Sequence, residues 1–235
     1  MKKKFSYQGN ELDIFKNATN WKSYWIDSIK DYIHGDVLEV GAGIGINTRI
    51  INDNISSINK YVAIEPDLKL YNESKKIILN KNNGVTQLNC YLNDLDKEIK
   101  FDTILYIDVI EHIEQDYNEL KNSLTYLKKN GHLVVLVPAF NSAYSEFDQK
   151  IGHFRRYTKK TLSKIVSEKL VNEKLIYLDS IGLTMSYFNK HFLKQDEPKL
   201  SQILFWDKVI IPISKIVDMI IRYWFGKSLI GVWKK

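Results

Sequence analysis

Val37-Leu38-Glu39-Val40-Gly41-Ala42-Gly43-Ile44-Gly45-Ile46-Asn47 decides the fold. An apolar run, Asp36–Val40, empties into three glycines at alternate positions and then into helical spacing. Glycines at the end of a strand let the chain turn sharply and bring backbone N–H groups up to a ligand at a helix N-terminus. Outward from this point the same two periods repeat. Tyr61–Ile64, Val85–Cys90, Thr103–Ile107 and His132–Val137 read as short β-branched strands. Between them, helical spacing runs over Asn47–Ile55, over Asp67–Asn80 with Asp67 as N-cap, and over Thr158–Leu170. A further helix is expected over Tyr117–Lys129, with Leu120, Leu124 and Leu127 on one face and Asn130-Gly131 as its C-cap.

Nearly unbroken apolar strands alternating with helices predict a parallel sheet covered on both faces. Phe15–Ile33 reads as an N-terminal amphipathic helix with Trp21, Trp25 and Ile29 in register. Lys174–Ser180 and Ser228–Trp233 supply a sixth and a seventh strand. The expectation is one α/β domain over 1–235: a doubly wound, Rossmann-like, seven-stranded, mostly parallel sheet with helices on both faces. It carries a helical cap (1–34) and a helical insertion (183–225), which holds Met185–His191 and Trp206–Phe225.

The chain has 235 residues, with 44% hydrophobic and 26% charged, a globular balance. One cysteine, Cys90, excludes a disulfide framework and a multi-cysteine metal site. It reads as a small core residue. No apolar run reaches the roughly 18–20 residues of a membrane span, and MKKKFSYQGNELD lacks the apolar core of a secretory signal, so a cytoplasmic protein is expected. Net charge is +6, but the surplus is lysine spread along the chain, which reads as solvated surface and not as a nucleic-acid site. The four arginines are Arg49, Arg155, Arg156 and Arg222, so the adjacent pair stands out.

Two carboxylates bracket the glycine loop. Glu65 closes the second strand, where an acid accepts ribose hydroxyls. Glu39 precedes the loop, and Ile46 stands where a dinucleotide fingerprint requires glycine. Acids beside the loop oppose a pyrophosphate but suit an adenosyl ligand bearing an ammonium and a sulfonium, namely S-adenosyl-L-methionine. The bland alternative is a tightly packed turn with Glu39 solvated.

Glu39–Gly45 (EVGAGIG), Glu65 and FDTILYIDVIEHI (101–113) together resemble the class I S-adenosylmethionine-dependent methyltransferases, from about Trp21 to the C-terminus. VPAFNSAYSEFD (137–148), GHFRRYT (152–158) and FGKSLIGVWKK (225–235) look like a bacterial subgroup associated with glycosyltransferase-rich, lipid or cell-envelope contexts. The resemblance implies that Gly41, Gly43 and Gly45 approach the methionine moiety. It also implies that Glu39 organises the loop and its amino group, and that Glu65 holds the ribose. Leu92, Asn93 and Asp94 would flank the adenine, departing from the commonest placing of an acid one or two positions earlier. Ile107 and Asp108 would lie beside the sulfonium and amino group.

Methyl transfer from a sulfonium is an in-line displacement with a neutral leaving group, so only the acceptor calls for a base. Candidates follow the fifth strand. His153, Tyr144 and Asp148 are expected as catalytic residues, and Arg155, Arg156 and Tyr157 as acceptor contacts, because acceptors bind at the carboxyl edge of open α/β sheets. A histidine ordinarily titrates at about 6.5, and arginines clamp phosphates or carboxylates. The alternative is that His153, Arg155 and Tyr157 lock the loop to the sheet through hydrogen bonds and an Asp148 salt bridge. His112 reads as shaping the cofactor pocket, and no metal site is expected. Phe5, Tyr7 and Trp21 either close over the cofactor or pack in the core.

In Trp206–Phe225, Lys208, Lys215, Asp218 and Arg222 form a polar stripe. Trp206, Val209, Ile210, Ile213, Ile216, Ile220 and Trp224 form a wide apolar face. Either the apolar face packs inward as a lid over the acceptor pocket, or the segment lies on a membrane interface. The expected reaction is methyl transfer to a small-molecule or lipid- or sugar-linked acceptor. The alternatives are a nucleotide-dependent oxidoreductase with a degenerate loop and a non-catalytic adenosyl-ligand-binding protein.

Overall fold

The computed structural model describes residues 7, 9, 11–78, 84–190 and 198–235. Seven strands form one sheet: β1 (Gly35–Val40), β2 (Ile58–Ile64), β3 (Val85–Leu88), β4 (Phe101–Ile107), β5 (Leu127–Pro138), β6 (Val171–Leu178) and β7 (Ser228–Lys234). Their order across the sheet is β3-β2-β1-β4-β5-β7-β6. β1 to β5 are mutually parallel, and β7 runs antiparallel between β5 and β6. The chain therefore leaves β1 toward β2 on one side and β4 on the other, and the crevice at that switch point opens above the strands' carboxyl ends.

Short α1 (Leu12–Phe15) and α2 (Thr19–Ile29) precede the sheet. α3 (Ile46–Asn54), α4 (Leu68–Ile78) and α5 (Asp116–Ser123) lie in the crossovers, and α6 (Glu146–Lys150) and α7 (Lys159–Ile165) follow β5. α8 (Ser180–Phe188), α9 (Leu200–Phe205) and α10 (Ile211–Ile220) form the insertion, with a π-helical turn, Trp206–Ile210, joining the last two. Successive strand side chains feed two cores. Val37, Leu105 and Val134 pack with Trp25 and Ile51, while Leu38, Ile104 and Leu133 pack with Leu120 and Leu162. Burial on both faces is the reason the strands read as unbroken apolar runs.

Asp67 caps α4 as expected, accepting from the backbone N–H of Lys69 (2.7 Å) and Leu70 (2.9 Å). Several element ends differ. The Tyr117–Lys129 helix stops at Ser123, and Leu127 already pairs with Phe101 in the sheet. Asn130, at φ 64°, donates to the Lys235 carbonyl, and Lys235 donates back to Gly131, so this pair clamps the chain's last residue and caps no helix. Phe15 belongs to α1, since Ala18 breaks helical geometry before α2. α7 ends at Ile165, five residues short of Leu170, and β6 runs Val171–Leu178 because Asp179 turns the chain into α8. The expected helix ends at Asn80 and His191, and Phe5, lie outside the described residues.

The insertion departs from the lid expectation, although Trp206 packs inward and Lys208, Lys215 and Arg222 stay exposed as expected. Asp207 and Asp218 are buried, while Val209, Ile213, Ile216, Ile220 and Trp224 are exposed. The buried aspartates are docking groups. Asp207 accepts from the backbone N–H of Asn20 and Trp21 at the N-terminus of α2 (3.2 and 2.8 Å). Asp218 accepts from Tyr24 Oη (2.9 Å) and from the Asp179 and Ser180 amides opening α8 (2.6 and 3.0 Å). Asp179 accepts from Trp206 Nε1 (2.8 Å) and Ser214 Oγ (2.7 Å). Otherwise unsatisfied helix-end amides thus pull carboxylates inward, which leaves the apolar side of α10 facing out.

Candidate active site

A cleft of about 1620 Å³ opens at the carboxyl ends of β1, β2 and β4, larger than the roughly 300–1,000 Å³ of an ordinary small-molecule site. Its floor is the glycine loop. Gly43 adopts φ 56°, and among the described residues Leu12 alone comes within 4 Å of where a Cβ would stand, at 3.8 Å, so its backbone faces the cleft. Gly45, at φ 78°, is excluded from carrying a side chain on both counts, because a Cβ would meet Ile78 at 2.7 Å. Gly41, Gly43, Glu65, Leu92, Asn93, Ile107 and Asp108 line the cleft; Gly45, Glu39 and Asp94 do not.

Glu65 is 5% exposed, and its two oxygens accept from Gly43 N and Asp67 N, each at 2.8 Å. It therefore fixes the loop and fronts the cleft at once. Burial raises its pKa against those two backbone bonds. Glu39 lies beneath the loop, where Oε2 accepts from Thr48 Oγ (2.5 Å) and Tyr61 Oη (2.9 Å), tying α3 to β2. Burial pushes its pKa up to about 7, against those hydrogen bonds. Asp94 closes its own short turn, accepting from Tyr91 N (3.1 Å). Asp108, at φ 54°, projects into the cleft. Asp108 is open to the cleft but set deep between its walls, and this desolvation raises its pKa to about 6, while Lys22 and Lys227 draw it back.

The post-β5 loop converges on Asp148, which is fully buried. Its carboxylate accepts from His153 Nδ1 (2.8 Å), Arg156 Nε (2.7 Å), Arg156 Nη2 (2.8 Å), and Ser145 N and Oγ (2.8 and 3.0 Å). Burial alone would raise this carboxyl, but the bonds from His153 and Arg156 hold it well below the usual carboxylate range. Tyr144 Oη donates to the His153 carbonyl (2.6 Å) from behind the cleft wall. Arg155 pairs with Asp116 (2.7 Å), and Tyr157 Oη donates to the same carboxylate (2.7 Å). Both lie off the cleft wall and tie the loop to Asp116, not to Asp148. Of the three expected acceptor contacts, Arg156 alone lines the cleft, with Nη1 buried and unpaired.

With Nδ1 engaged, His153 Nε2 stands 3.9 Å from Glu111 Oε1. Glu111 is fully buried with neither side-chain oxygen hydrogen-bonded, and burial with the nearby Asp108 charge pushes its pKa well up. The ring of His112 meets that of His153 edge-on at 4.5 Å, and burial lowers its pKa to about 3. Glu111, His112 and His153 form the one grouping among the described residues with atoms close enough to suggest a metal. The 3.9 Å between His153 Nε2 and Glu111 Oε1 exceeds the roughly 3.3 Å edge of a tetrahedral zinc site, so that pair would have to draw together to hold one. Glu111, Lys22 and Lys227 are cleft groups missing from the expected site. The I-D-V-I-E-H stretch was the available signal for the first; the lysines come from α2 and the chain's end and have none. Tyr7 and Trp21 line the cleft, Trp21 being also a core residue.

A profile of the methyltransferase domain family matches residues 18–194. Among solved structures, the N-methyltransferase NodS from Bradyrhizobium japonicum WM9, in complex with S-adenosyl-L-homocysteine, superposes with a TM-score of 0.62 at 11% identity, over 97% of this chain and 93% of that one. Coclaurine N-methyltransferase, bound to N-methylheliamine and the same product, gives 0.62 at 13%, over 99% and 76%. These likenesses establish a shared fold. Probable polyketide synthase 22 of Dictyostelium discoideum is 24% identical over 136 residues, 52% of this chain, and the chain spans 5% of that relative's length. By the extent of the profile match, the chain belongs to the methyltransferase domain family.

Proposed function

We propose that the cleft binds S-adenosyl-L-methionine and transfers its methyl group in line to a small-molecule or lipid- or sugar-linked acceptor. The observation that carries this reading is Glu65, buried at the end of β2 with one oxygen bonded to Gly43 N, so that a carboxylate stands where the glycine loop meets the cleft. A cationic donor is complementary to a carboxylate at that position; a pyrophosphate is not. Gly41 and Gly43 lie along the methionine moiety, with Gly45 completing the turn. Glu65 accepts from the ribose, and Leu92 and Asn93 flank the adenine, on a turn held by Asp94. Ile107 and Asp108 stand beside the sulfonium and amino group, and Glu39 supports the loop from below.

The acceptor's nucleophile attacks the methyl carbon as the carbon–sulfur bond breaks, leaving a neutral thioether. The acceptor's proton passes to His153 Nε2. Asp148 fixes the other nitrogen and stabilises the imidazolium, and Arg156 keeps Asp148 ionised. Tyr144 positions the His153 backbone. The test is incubation with donor carrying a labelled methyl group and acceptors from soluble and membrane extracts. Label should move to a product with wild-type protein and not with His153→Ala. Donor bound without any transfer would favour the non-catalytic reading, and binding of a nicotinamide dinucleotide instead would favour the oxidoreductase.

A further inference from the structure

α10 buries one side through Ile211, Ser214 and Asp218 and shows the other to solvent. Val209 (42% exposed), Ile213 (45%), Ile216 (58%) and Ile220 (75%) follow one another at helical spacing on that outer side, and Trp224 (80%) stands exposed just beyond the helix, after Arg222 and Tyr223 turn left-handed. The surface does not end at the helix. Phe205 is 52% exposed and also lines the cleft, as does Met185 at 40%, so apolar surface runs from α10 to the cleft mouth. Contiguous exposed apolar surface of this kind marks an interaction site.

Charge identifies the occupant. In 198–227 the acids are Asp207 and Asp218, both buried, whereas Lys199, Lys208, Lys215 and Arg222 are exposed. Lys215 reaches one exposed acid, Asp27 of α2, at 3.4 Å. The charged rim is therefore positive. A second copy docking face to face would bring these cations against one another, whereas lipid phosphates would complement them. Among the described residues no helix is long and apolar enough to cross a membrane, so α10 would lie along the surface, with Trp224 at headgroup level.

We propose that the outer face of α10 seats the protein on an anionic lipid bilayer, with the cleft mouth at the membrane surface. This deepens the acceptor side of the preceding reading, by placing the acceptor in or on the bilayer. The test is flotation of the full chain with vesicles of phosphatidylcholine, alone or mixed with phosphatidylglycerol. Wild type should float with the anionic vesicles, less with the neutral ones, and less again as salt rises. Ile216→Asp/Ile220→Asp, at exposed positions, should keep the wild-type melting temperature and lose vesicle binding about tenfold or more. Trp224 emission should shift to the blue in wild type only on anionic vesicles. Wild type that stays unbound at low salt overturns the proposal, as does a variant that floats equally well. Self-association abolished by the same variant, with no vesicle binding, would assign the face to a second copy. Calorimetry with S-adenosyl-L-homocysteine on the same two proteins keeps the readings apart, because the variant should bind it as wild type does whatever flotation shows.

Discussion

Replacing Asp148 by Ala should destabilise the protein more than any single change on the post-β5 loop. Asp148 is fully buried and Arg156 is 8% exposed, with its guanidinium bonded to the carboxylate through two nitrogens at 2.7 and 2.8 Å. Removing the acid leaves a buried cation without its partner, which costs about 3–5 kcal/mol. At about 2–4 °C per kcal/mol for a chain of this size, the melting temperature should fall by about 6–20 °C. The effect is pH-dependent. The carboxyl is held below its unfolded value of about 3.9, so its stabilisation is full above that pH and fades as pH falls toward the folded value. Wild type and variant should therefore converge in acid. Thermal unfolding by circular dichroism, repeated for Arg156→Ala and the double variant, checks the cause, because the two losses should be less than additive by about 0.5–3 kcal/mol. A single-variant shift within about 1 °C, or strict additivity, would refute the clamp.

Glu65→Ala should weaken donor binding by about 1–3 kcal/mol, a rise in Kd of about five- to 150-fold by calorimetry; an unchanged Kd would remove Glu65 from the ribose. His153→Ala should lower turnover by about 10²–10⁴-fold at unchanged donor affinity, read by label transfer, and wild-type turnover would exclude it as base. Glu39, raised to about 7 by burial, binds its proton more tightly folded than unfolded, so it costs stability as pH rises from about 4.3 to 7. Glu39→Gln should lose that slope, and melting curves that stay parallel across the range would contradict it. Asp218→Ala, which strips acceptors from Tyr24 Oη and two helix-opening amides, should lower stability by about 1–3 kcal/mol per group left unpaired, measured by urea unfolding.

Strands β1 to β5, the glycine loop and the cap at Asp67 were legible because each depends on residues adjacent in the chain. Glu65 was legible for the same reason, standing at the end of a strand whose neighbour carries the loop. The acceptor side was half legible. His153, Asp148 and Arg156 could be named as candidates, but their pairing depends on how Glu146–Lys150 folds back. Without that fold nothing distinguishes Arg156, which faces the cleft, from Arg155, which is engaged by Asp116. Helix α10 misled for a sharper reason. Amphipathic spacing separates two faces but does not say which is buried, and the partners that draw Asp207 and Asp218 inward are amides far away in sequence. Asn130-Gly131 resembled a helix cap because its left-handed geometry is shared by both settings, and its partner is the far end of the chain.

The most direct test is titration of the purified chain with S-adenosyl-L-homocysteine in a calorimeter. Saturable heat at one site per chain, displaced by S-adenosyl-L-methionine and greatly weakened in Glu65→Ala, is the predicted result. No heat with either ligand at concentrations well above the millimolar range, in protein shown to be folded, would contradict it.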